Sequence, residues 1–134
     1  MLVILVKESD NTAFFTLNND ILTPDEVLEA RLAMGLPPPE DPYTTMSPKS
    51  YTNILRSLYL SSYLRRPFSE KALSIMLETD FDSGIPAFLP HDIKIAHKIG
   101  FYQQGGYFHD CGIIYLPYKP YSLCIMSKNT TYKK

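Results

Sequence analysis

Apolar positions along this chain follow two different periods, and the change falls at Gly84. Before that glycine they recur every three or four residues, as on a helix with one buried face. After it they recur every second residue, as on a half-buried strand. The opening run Met1-Leu-Val-Ile-Leu-Val6 reads as the end of a core helix or strand, because six apolar residues with no preceding basic region are too short for a signal peptide or a membrane span. Ser9-Asp10-Asn11 carries side chains able to cap a helix, and Ala13, Phe14 and Leu17 predict one over 12–19. Thr23-Pro24-Asp25-Glu26 is a clearer start, since Thr23 and Glu26 can satisfy each other's amides while Pro24 takes the first helical position. Val27, Ala30 and Met34 then share a stripe that Gly35 and Pro37 end.

A proline-rich connection, 37–42, leads to Ser47-Pro48, which begins a helix with Tyr51, Ile54, Leu55, Leu58 and Ser62 on one face. Arg65-Arg66-Pro67 is expected to close it. Ser69 is expected to cap one more helix through Thr79, with Leu73, Met76 and Leu77 turned inward. Strands are predicted over 93–99, 112–116 and 121–127, the last two joined by a hairpin at Pro117-Tyr118-Lys119-Pro120. Helices followed by strands indicate an α+β class. The expected organisation is one domain over 1–134, with a mainly helical part at 1–83, sheet strands at 84–127 and a polar tail at 128–134.

Composition changes this picture little. The 134 residues include 45% hydrophobic and 20% charged types, enough for one core. Thirteen basic and fourteen acidic residues leave a net charge of −1, and no basic surface suited to nucleic acid is indicated. Cys111 and Cys124 lack zinc or redox spacing and read as small buried hydrophobes, so no metal or other cofactor is expected.

Three segments carry candidate chemistry through their order: Ser9-Asp10-Asn11 at a helix start, Lys98-Ile99-Gly100 on a strand, and His109-Asp110-Cys111-Gly112-Ile113-Ile114 opening the next strand. Each alone has an ordinary reading, as a cap, a solvated strand lysine and a strand start. Together they resemble the serine β-lactamase and penicillin-binding-protein superfamily, whose signature is S-x-x-K, then S-D-N, then K-T-G. Ser9-Asp10-Asn11-Thr12-Ala13 is similar to the S-D-N-T-A stretch of class A members, and the resemblance runs from Leu5 to Ser127. It implies a β-lactamase or D,D-peptidase-like fold in which helices flank an antiparallel sheet.

The resemblance also implies roles. Ser9 and Lys98 would be hydrogen-bonded across a cleft and relay a proton during acyl transfer, and Lys98 would attract a substrate carboxylate. Asn11 would hydrogen-bond the substrate's side-chain amide, Ile99 and Gly100 would line the substrate strand, and Asp10 would hold the loop structurally. The ligand would be a β-lactam or a D-alanyl cell-wall peptide, and the parent protein would be extracytoplasmic, periplasmic or secreted.

Three departures qualify that reading. No Ser-x-x-Lys occurs anywhere in the sequence, so the chain is expected to be truncated before the nucleophile and inactive by itself. Ile99 stands where the family has Thr or Ser, which removes a hydroxyl worth roughly 1.5–3 kcal/mol on a carboxylate. Glu40-Asp41-Pro42-Tyr43-Thr44 does not match the family's deacylating E-x-x-L-N loop, which tilts the parent towards a D,D-peptidase or a degenerate relative. The alternative function is therefore a peptidoglycan-peptide binding module of the same fold that has lost its chemistry. The implied loss of neighbouring strands predicts an open edge at 121–127 and self-association. His109 and Asp110 point to opposite faces of a strand and cannot pair tightly, and His91 and His97 are read as non-ligands.

Overall fold

The computed structural model describes residues 1–38 and 46–130. The Glu40–Thr44 segment lies outside the described residues. Helix α1 spans Leu2–Lys7, α2 Asn11–Thr16, α3 Pro24–Ala33, α4 Pro48–Tyr59 and α5 Arg66–Leu77. Strands β1 (Lys94–Tyr102), β2 (Tyr107–Tyr115) and β3 (Tyr121–Ser127) form an antiparallel sheet in chain order. Helices precede strands, as the change of period requires.

Local chemistry accounts for most boundaries. Asp10 caps α2, which continues as a π-helical turn over Leu17–Ile21. Thr23 and Glu26 form the reciprocal capping box, with the Thr23 amide donating to the Glu26 carboxylate at 2.8 Å. Ser47 caps α4, whose following Pro48 fits a position with no helical partner for its amide.

Two expectations about this region are corrected. Arg65-Arg66-Pro67 does not close α4, which ends at Tyr59 with Leu60 as its C-cap and so leaves Ser62 outside it; Arg65 is instead the N-cap of α5, and Pro67 sits in its first turn. Ser69 lies inside that helix, fully buried, and its hydroxyl donates to the Leu64 carbonyl at 3.3 Å. The proline's fixed φ makes this arginine-rich stretch a helix start and not a stop. Leu77 is exposed, whereas Ile75 is buried beside Leu73 and Met76.

The strands also run longer than the apolar alternation suggests. β2 begins at Tyr107, five residues before the expected Gly112, and pairs with β1 from Tyr102↔Tyr107 to Lys94↔Tyr115. Gln103–Gly105 form a single 3-10 turn at the tip, and Gly106 closes it in the left-handed region at φ 59°. Polar and aromatic residues at 107–110 hid this part of the strand.

The sheet is covered on both faces. Ala96, Cys111 and Ile113 on one face meet Leu55 of α4 with Leu73 and Met76 of α5, and Val6, Tyr51 and Leu58 pack around this cluster. Burial pushes the Tyr51 hydroxyl up to about 12, helped by the charge of Asp110. His97, Asp110 and Ile114 on the opposite face are equally buried, and the segment carrying Ile85 reaches them. Met1 and residues Leu2–Ile4 of α1 are exposed and no residue of this helix is buried, so the opening apolar run is not the core element expected of it. β3 lies at one side of the three-stranded order, with Tyr121 and Ile125 exposed.

The cysteine expectation is overturned. Cys111 and Cys124 are register partners on β2 and β3 and form a disulfide across 13 residues. Direct opposition of two strand residues brings their Cβ atoms close enough for the two sulfurs to bond, which spacing along the chain does not reveal. Replacing both cysteines with alanine should lower the unfolding free energy by roughly 3 kcal/mol, read by urea denaturation. Leu55→Ala, which empties the centre of the helix-facing core, should cost about 2–5 kcal/mol in the same assay.

Candidate active site

Two distant segments meet at a hydrogen bond. The Lys98 ammonium, from β1, donates to the Ser9 hydroxyl at 2.5 Å and to the Ile99 carbonyl at 2.9 Å, although Ser9 and Lys98 are 89 residues apart in sequence. Ser9 occupies the turn between α1 and α2 and holds a φ of 56°, a left-handed conformation unusual for a serine. Strain of that kind persists only where its surroundings impose it.

Several bonds do so here. The Asp10 amide donates to the Ile4 carbonyl at 3.3 Å, and the Asp10 carboxylate accepts from the Ala13 amide at 2.6 Å. The Thr79 hydroxyl, just after α5, donates to the Lys7 carbonyl at 2.8 Å. Lys7 also lies 3.9 Å from the Asp80 carboxylate. The end of α1 is thus tied to the end of α5, and α5 packs on β1, so the serine turn is referenced to the strand that carries the lysine.

Burial lowers the Lys98 pKa from its ordinary value, because an ammonium partly removed from water loses hydration, and the charge of Asp110 opposes the shift. A lysine so placed gives up its proton more readily than a surface lysine. A serine hydroxyl at hydrogen-bonding distance can pass that proton onward, since it both donates and accepts.

The other candidate residues are distributed as follows. Asn11 occupies the first position of α2 and is exposed. Gly100 follows Lys98 on the same face of β1, and a Cβ built there would meet only the His109 ring and Cβ, at 3.6 and 3.7 Å. Among the described residues no contact demands glycine at that position, since both distances are ordinary van der Waals contacts. By strand alternation Ile99 lies on the face of His97, away from Lys98, so it meets the lysine through its carbonyl and not its side chain.

The sequence reasoning missed one polar group. His97 Nδ1 lies 2.8 Å from Asp110 Oδ1, and Asp110 Oδ2 accepts from the Ile85 amide at 2.7 Å. His109 does not pair with Asp110, as strand alternation requires. Its Nδ1 accepts from the Ser127 amide at 3.2 Å. The signal for the missed pair was diagonal, since His97 is opposite Gly112 and Asp110 opposite Ile99, and it needed the strand register to be known. Among the described residues, no group of three or more His, Cys, Asp or Glu side chains could hold a metal ion.

A family model described as "Beta-lactamase enzyme family" matches residues 2–134. Among solved structures, a β-lactamase from Chitinophaga pinensis DSM 2588 superimposes with a TM-score of 0.84 at 23% identity, over 99% of this chain and 57% of that one. A mutant of PBP-A, solved as an acyl-enzyme complex with penicillin G, gives 0.76 at 23% identity, over 92% and 49%. A class A β-lactamase from Mycobacterium abscessus gives 0.80 at 18% identity, over 96% and 54%. The chain thus spans about half the length of the structures it matches. No curated protein matches it.

The depressed Lys98 pKa has a stability consequence of definite sign. Below 10.5 and above the folded-state value the unfolded chain binds more protons, so stability should rise with pH through that window and fall as pH drops through the folded-state pKa. Urea unfolding of wild type and Lys98→Met at several pH values checks this: the difference between them should slope upward with pH and then level off above 10.5.

Proposed function

We propose a role that starts from the family: the chain belongs to the beta-lactamase enzyme family. It contributes the Ser9 and Lys98 side of an acyl-transfer cleft that takes β-lactams or D-alanyl cell-wall peptides. The observation that carries this reading is the Lys98 to Ser9 hydrogen bond, formed by segments 89 residues apart.

The geometry supports the proposed chemistry. Acyl transfer from an amide needs a proton delivered to the leaving nitrogen as its bond to carbon breaks. The Ser9 hydroxyl would give its proton to that nitrogen while taking one from the Lys98 ammonium. Lys98 would also attract the carboxylate that both ligand classes share. Asn11, on the exposed first turn of α2, would hydrogen-bond the ligand's amide, and Gly100, with no side chain of its own, would let the ligand backbone lie along β1.

The sequence holds no Ser-x-x-Lys, so the nucleophile of this chemistry would come from outside these 134 residues. By themselves they are proposed to bind and not to acylate. The same observation favours, as a second reading, a peptidoglycan-peptide binding module with no catalytic turnover. The Cys111–Cys124 disulfide supports an extracytoplasmic location, because such bonds persist in oxidising compartments.

Titration of penicillin G and of a D-alanyl-D-alanine peptide, followed by amide NMR shifts, tests the reading. Shifts should concentrate at Ser9, Asn11 and Lys98 to Gly100, and Lys98→Ala should weaken binding at least about tenfold through loss of a charge-assisted bond. Shifts scattered over the molecule, or equal affinity in the variant, would remove the cleft. Intact mass should show no covalent penicillin adduct on the isolated chain.

A further inference from the structure

The buried polar group on the far side of β1 faces away from the cleft, and no step proposed above uses it. His97 and Asp110 are each only 2% exposed. A buried carboxylate is costly unless its oxygens are hydrogen-bonded. Here each oxygen has its own donor from a different segment, Oδ1 from His97 of β1 and Oδ2 from the Ile85 amide, while the carboxylate itself belongs to β2.

Two glycines make room for this arrangement. A Cβ at Gly84 would stand 2.1 Å from Asp110 Oδ2, so a larger residue would drive the carboxylate out of place. A Cβ at Gly112 would stand 2.5 Å from His97 Cβ and 2.7 Å from the Ala96 carbonyl. The Cα and Cβ of His97 therefore approach β2 more closely than any residue but glycine at 112 would allow.

The connection to the cleft runs through the backbone of β1. His97 precedes Lys98, and Asp110 is the register partner of Ile99, whose carbonyl accepts from the Lys98 ammonium. Any slide or tilt of β1 that broke the His97 to Asp110 contact would displace the lysine and one of its two acceptors together.

We infer that Asp110 is a positioning residue, which clamps β1 through His97 to the Ile85 turn and so keeps the Lys98 ammonium on the Ser9 hydroxyl. This inference rests on the reading of Ser9 and Lys98 as a working pair. It adds a residue that touches neither ligand nor proton path and acts on the pair from behind the strand.

Side-chain NMR of protein labelled with 15N-lysine, run well below each variant's melting midpoint, tests it through solvent exchange of the Lys98 ammonium protons. His97→Leu, which strips Asp110 of one donor, and Gly84→Ala, which displaces the carboxylate without altering β1, should each speed that exchange about tenfold. His97→Gln, which retains a donor towards Asp110, should restore slow exchange. Ser9→Ala removes the lysine's acceptor directly and separates the two ideas. If it accelerates exchange while His97→Leu and Gly84→Ala keep wild-type protection and merely melt earlier, the clamp is overturned and the cleft reading stands. If Ser9→Ala changes nothing, the Ser9 to Lys98 pairing falls, and the clamp falls with it.

Discussion

A lysine ammonium held partly out of water, between a strand and a tight turn, is the constraint around which this structure is organised. Such a group is tolerated only if acceptors are fixed where its protons point. Lys98 finds one in its own strand, the Ile99 carbonyl, and one in the serine of a turn at the other end of the chain. The second has to be built, and much of the helical region builds it. Ser9 takes a left-handed conformation, Asp10 caps the helix that follows, and Thr79 anchors the preceding helix to the end of α5.

The sheet separates two kinds of stabilisation. Towards α4 and α5 it presents Ala96, Cys111 and Ile113 to an apolar core, where tight packing leaves little room for rearrangement. On the opposite face it buries a histidine and an aspartate whose hydrogen bonds have fixed directions. Apolar packing tolerates small displacements better than a carboxylate with both oxygens engaged. The pairing of the two faces across one strand explains how a helix-packed β1 can also hold Lys98 in register. The disulfide between β2 and β3 adds a covalent tie inside the same core, with Cys111 directly opposite Lys98.

For the proposed chemistry, the division of labour between segments matters more than any one residue. A hydroxyl and an ammonium in contact would serve as a proton relay, and the strand beside them would hold an extended ligand. The chain spans about half the length of the structures it matches. Ile99 is a departure whose consequence depends on geometry. Its side chain stands on the far face of β1, while its carbonyl serves the lysine.

Much of this was legible in the chain itself. The change from helical to strand period, the Thr23 to Glu26 capping box and the three short motifs in order are local or sequential patterns, and they gave the α+β class and the candidates Ser9, Asp10, Asn11, Lys98, Ile99 and Gly100. The structure decided what depends on register and approach: that β2 starts at Tyr107, that Cys111 faces Cys124, and that His97 reaches Asp110 diagonally across two strands. Local free energy is written in neighbouring residues, so capping and periodicity can be read from sequence. Contacts between strands depend on a register chosen by the whole packed core, and no short stretch of residues contains that choice.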